Sequence, residues 1–142
     1  MTKTDLDQAF QDIGERIDPS AKLVRHWPLT GGVSAQVEAV EFELPGEVHR
    51  QVVVRRQGAV EWKSLQPDIT ATEFALLAAL YRIGLPVPEP LFLAVSASVL
   101  PSPYLVMAMV EGTTVVQDSE LSHASSQLAD FLVRLISRQL LQ

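Results

Sequence analysis

Three groups of residues in this 142-residue chain have the types and spacing that chemistry needs: the turn Thr30-Gly31-Gly32-Val33-Ser34, the arginines that end the run Val52-Val53-Val54-Arg55-Arg56, and a lone Glu73 at the start of an apolar helical pattern. Glycines let a backbone approach an anion and aim its amides at the oxygens, and the Ser34 hydroxyl adds a donor. The same residues also suit a Gly-Gly hairpin turn. Arg55 and Arg56 point to opposite faces of a strand, so only one of them can serve a given site; alone, both also read as solvated charges at a strand end. Glu73 lies three residues after Thr70, the spacing of a capping box, in which the carboxylate reaches back to the cap amide. Other chemistries have less to work with. The chain has no cysteine, so thiolate catalysis, disulfides and sulfur-based zinc sites are excluded. His26, His49 and His123 are scattered and fit surface or satisfied histidines better than ligands. Ser34 has no recognisable His and Asp partners for nucleophilic work.

Positioning such residues requires a core, and the composition bounds its size. A chain of this length, 47% hydrophobic, builds one ordinary core and is too short for two full domains, so residues 1–142 are expected to form a single domain. The net charge of −6 argues against nonspecific binding to nucleic acid or to an anionic membrane, both of which reward clustered Lys and Arg. The start lacks the basic-then-apolar layout of a signal peptide, and no apolar run approaches the length of a membrane span. A soluble, cytoplasmic protein is expected.

The order of elements follows from periodicity. Leu6, Phe10, Ile13 and Ile17 share one helical face, Thr4 with Asp7 can form a capping box, and Asp18-Pro19 ends the run. Residues 21–29 and 35–44 read as strands, the second alternating Val40, Phe42 and Leu44 against Glu41 and Glu43, with the Gly-Gly turn between them. Residues 45–50 read as a second turn, and 51–56 as a third strand whose consecutive valines predict burial on both faces. After a polar connector, Thr70 opens a second helix that Gly84 ends with a left-handed residue and that Pro86 prevents from continuing. Residues 89–97 and 103–110 read as two more strands. From Glu120 onward, Leu121, Leu128, Phe131, Leu132, Leu135 and Ile136 make a broad apolar helical stripe. The expected class is α+β: a five-stranded antiparallel sheet with a packed helix, flanked by N- and C-terminal helices.

With the glycine turn, the Val-Val-Val-Arg-Arg strand, Glu73, Leu85-Pro86-Val87-Pro88-Glu89-Pro90 and Tyr104–Gly112 in this order, residues 23 to 137 resemble the amino-terminal, nucleotide-binding lobe of the aminoglycoside phosphotransferase and choline kinase family, a branch of the protein-kinase-like fold. The resemblance implies that Gly31, Gly32 and Ser34 cover phosphates, and that Arg55 lies over the α and β phosphates while pairing with Glu73. It further implies that the Ala108 carbonyl and the Val110 amide face the adenine edge, with Val53 and Met107 as apolar walls. Ala35 stands where many members carry an Asn, which removes one polar side chain from the loop.

The family's second lobe supplies a His-Gly-Asp type loop, an Asn for Mg²⁺ and a later metal-bridging Asp. This sequence has no asparagine, and none of its histidines precedes Gly-Asp. The expectation is therefore an ATP-binding lobe with the catalytic lobe absent: nucleotide held weakly, Mg²⁺ not held by this chain alone, and no activity in isolation. Two other readings stand beside it, a noncatalytic nucleotide- or protein-binding module and a structural interaction domain. Because the last helix carries more apolar surface than one face can bury, a homodimer or higher homo-oligomer is expected, with residues from about Leu128 to Leu141 forming much of the contact; the other partner expected is a chain supplying the missing lobe.

Overall fold

The computed structural model describes residues 1–30, 35–57, 69–95, 99–112 and 121–140. The first helix, α1 (Lys3–Ile17), buries Ala9, Phe10, Ile13 and Gly14, the face that its apolar spacing predicts. Its cap corrects the expected one. Thr2 is the N-cap, its hydroxyl accepting from the Asp5 amide at 3.1 Å while the Asp5 carboxylate accepts from the Thr2 amide at 2.8 Å. Helix formation two residues earlier than expected places Thr4 inside the first turn and releases Asp7 for a partner outside the helix.

Among the described residues five strands follow: β1 (Lys22–Pro28), β2 (Ala35–Leu44), β3 (Val48–Gln57), β4 (Pro90–Ala94) and β5 (Tyr104–Ala108). They form one antiparallel sheet in the order β1-β2-β3-β5-β4. The turn between β2 and β3 is tighter than its sequence suggests. Gly46 and Glu47, at φ 83° and 59°, reverse the chain, and Val48, His49 and Arg50 already pair with β2. The three valines of β3 are buried on both faces, as their run predicts.

Alternation sorts the sheet into two surfaces. Val40 and Phe42 of β2, Val52 and Val54 of β3, and Tyr104 and Val106 of β5 point to one face, where Phe10 and Ile13 of α1 complete the core. Burying a side chain such as Phe10 or Ile13 contributes roughly 1.5–3 kcal/mol. The approach is close at Gly14, where an added Cβ would stand 2.4 Å from the Phe42 ring. The N-terminal helix, expected only as a flank, is thus the lid of the hydrophobic core.

The second helix, α2 (Ile69–Arg82), sits near β4 and β5. It begins one residue before Thr70, so the buried Thr70 lies within it and is not its cap. Its end matches expectation. Gly84 adopts φ 77°, the Gly84 amide donates to the Tyr81 carbonyl at 2.9 Å, and the Leu85 amide donates to the Leu80 carbonyl at 3.1 Å, the paired bonds of a Schellman motif. Leu85 is then buried, and the proline-rich elbow leads straight into β4. The last helix, α3 (Leu121–Leu140), leaves Leu128, Leu132, Val133 and Ile136 exposed. Among the described residues, no helix is long and apolar enough to cross a membrane.

Candidate functional site

The face of the sheet opposite α1 carries three of the predicted site residues, Val53, Arg55 and Met107. Register decides which of them meet. Arg55 stands opposite Val37 on β2 and Leu105 on β5, and Val53 stands opposite Ala39 and Met107. Direct cross-strand partners share a face, so Val37, Ala39, Val53, Arg55, Leu105 and Met107 form one surface. Glu73, on the first half of α2, reaches this surface. Its two carboxylate oxygens accept from Arg55, Oε2 from Nε at 3.0 Å and Oε1 from Nη2 at 2.8 Å.

This bidentate geometry accounts for Glu73 without a capping role. The hydrogen bond from Arg55 to Glu73 raises the arginine's already high pKa, against the opposing effect of burial, so the guanidinium is a fixed cation. The pair remains about one-third exposed, 33% for Arg55 and 36% for Glu73. A guanidinium carries five N–H donors, so the edge turned away from Glu73 keeps hydrogens for an anion. Arg56 lies on the α1 side instead, 3.7 Å from Glu38, with both side chains 15% exposed. The alternation argument therefore separates the two arginines correctly.

At the end of β5, the Ala108 amide donates to the Glu89 carbonyl at 2.9 Å, and the Met109 amide donates to Gln51 of β3 at 3.2 Å. Within a strand, a residue's N–H and C=O point to the same side. The Ala108 carbonyl is consequently turned away from β3, and Val110 beyond it is 62% exposed. Met107 and Ala108 are half-buried, whereas Val53 is buried within the domain itself. Gly31, Gly32 and Ser34 lie outside the described residues.

The sequence reading missed Val37, Ala39 and Leu105, the near neighbours of Arg55 and Val53. Their signal was available only in part: alternation along β2 groups Val37 with Ala39, but pairing with β3 is what sets them beside the arginine. Two of the three histidines have carboxylate partners, and the third is exposed. His26 is held between Glu38 and Asp7 at 3.0 and 2.9 Å on the α1 face, His49 contacts Glu41 at 3.0 Å, and His123 is exposed. Among the described residues, no group of His, Asp and Glu is arranged to hold a metal.

Residues 28–139 match the sequence model described as the phosphotransferase enzyme family, which spans β1's last residue through most of α3. A search of curated proteins found no match.

Proposed function

Since this chain belongs to the phosphotransferase enzyme family, we propose that it is the ATP-binding lobe of a small-molecule phosphotransferase, working from a cytoplasmic location. The observation that carries this reading is the bidentate Arg55–Glu73 pair on the same face as Val53 and Met107. ATP supplies the transferable phosphoryl group. Arg55, oriented by Glu73, would hold phosphate oxygens, and the half-buried Met107 with the Ala108 peptide edge would meet the base. Gly31, Gly32, Ser34 and Val110 complete the same assignment by position.

In this reading the isolated chain binds ATP weakly and transfers nothing, because no residue here is assigned to Mg²⁺ or to orienting an acceptor hydroxyl. Calorimetric titration with ATP, paired with a phosphoryl-transfer assay on aminoglycosides and choline, tests both halves. Weak binding without turnover supports the proposal. Mg²⁺-dependent turnover by homogeneous protein refutes the inactivity, and absence of any nucleotide binding refutes the assignment of the lobe.

A second feature favours self-association. Leu128, Leu132, Val133 and Ile136 of α3 are 46–60% exposed, and Asp130 and Arg134 form an i,i+4 pair at 2.8 Å on the side of the helix away from Leu132. An antiparallel pairing of two α3 helices about Leu132 sets Leu128 opposite Ile136, since residues four apart share a helix face. The apolar row is then self-complementary, as a two-fold interface requires. A homodimer through α3 is the partner we propose.

A further inference from the structure

Resting on the nucleotide-lobe reading, we infer that Trp27 is the outer wall of the base site and contributes to recognition of the nucleobase. Trp27 pairs with Ala39 of β2, Ala39 with Val53 of β3, and Val53 with Met107 of β5, so the indole begins the cross-strand row that ends at the proposed base-binding edge. Its neighbour in that row is the smallest side chain a strand can offer short of glycine. No bulky group on β2 stands between the indole and the centre of the face.

The indole is also held in place from behind. The Arg25 guanidinium lies 4.8 Å from the Trp27 ring centroid, a cation–π contact. Arg25 in turn donates from Nε to Glu41, whose other carboxylate oxygen lies 3.0 Å from His49 Nδ1. Glu41 is a carboxylate buried in a sheet, and its function in the fold is explained by this chain: it anchors the cation that braces the indole. A partly exposed tryptophan fixed against an arginine is a ready π surface for a planar ligand, and stacking of a base on such a surface tolerates different bases. The inference therefore concerns the base and not the phosphates, which belong to the Arg55 end of the face.

A chain carrying Trp62→Phe leaves Trp27 as the sole tryptophan. Titration of this protein with ATP is expected to quench its fluorescence, while inorganic tripolyphosphate leaves it unchanged. By calorimetry, Trp27→Ala is expected to weaken ATP about tenfold, in the range base–aromatic stacking supplies, with tripolyphosphate affinity unaltered and Trp27→Phe retaining most of the ATP affinity. If ATP binds with unchanged affinity in Trp27→Ala, or if both ligands weaken equally, the inference falls while the lobe reading stands. If neither ATP nor tripolyphosphate binds the parent chain, both fall. Should Trp27→Ala fail to fold, the quench in the single-tryptophan protein and the affinity of Trp27→Phe decide the matter.

Discussion

Arg55 and Glu73, eighteen positions apart in sequence, meet through two parallel hydrogen bonds of 3.0 and 2.8 Å that tie α2 to the middle of the sheet. Such a fork depends on planar geometry, which a lysine ammonium does not reproduce. Since the pair is about one-third exposed, Glu73→Gln is expected to lower stability by under about 1 kcal/mol. The same change is expected to weaken ATP binding, because the guanidinium loses its orientation. Arg55→Ala is expected to weaken it further, whereas Arg56→Ala, on the opposite face, leaves it unaltered. Calorimetry on the three variants checks the assignment, and equal losses for Arg55 and Arg56 would falsify it.

Gly14 sets the distance between α1 and the sheet. A methyl group there would stand 2.4 and 2.6 Å from two atoms of the Phe42 ring, and Phe42 is itself 1% exposed. Gly14→Ala gains helix propensity yet overpacks the core, so a net loss of about 1–3 kcal/mol is expected. Chemical denaturation measures it. A neutral or stabilising result would mean that α1 shifts outward without cost.

Glu47 adopts φ 59°, a left-handed conformation that an L residue with a long side chain disfavours. Its turn is exposed, so no packing is at stake. Glu47→Asn is expected to raise stability by about 0.5 kcal/mol, since Asn visits this region more readily. A thermal melt that moves downward would point to an interaction of the Glu47 carboxylate instead.

The pH dependence of stability has a readable contribution from Glu41. The hydrogen bond from Arg25 holds its carboxyl below the ordinary 4.5, burial opposes the effect, and the His49 contact adds to it. A carboxylate depressed in the folded state stabilises the fold above the unfolded value, and that contribution is lost as pH falls through the folded one. From pH 4.5 downward the parent chain should therefore lose stability more steeply than Glu41→Gln. Melting temperatures across that window report the difference; parallel curves would remove Glu41 from the account.

The exposed row on α3 makes a prediction about assembly. Leu132→Asp is expected to convert a dimer to monomer while the melting transition of the sheet persists, as the side chain is 46% exposed and sits at the centre of the proposed pairing. Sedimentation or light scattering at high micromolar concentration gives the mass. A parent chain that is monomeric throughout that range disposes of the proposed dimer.

Local pattern alone determined much of this protein. The helical spacing of Leu6, Phe10, Ile13 and Ile17, the alternation along residues 35–44, and the Gly84 stop followed by Pro86 each encode a local conformation, because backbone sterics and one-sided burial act over a few residues. Alternation also predicted that Arg55 and Arg56 part company, and family resemblance placed Glu73 beside the former. What local pattern left open was anything fixed by contacts between distant segments. Thr70 to Glu73 has the spacing of a cap, yet the carboxylate is taken by an arginine eighteen positions earlier. Asp7, equally suited to a capping box, instead meets His26 on β1. Two short-range options of similar strength are separated only when the chain folds and brings a charged partner within bonding distance. Cross-strand register made the remaining decision: it placed Trp27, Ala39, Val53 and Met107 in one row, and pairing across four strands is a property of the assembled sheet that no single strand carries.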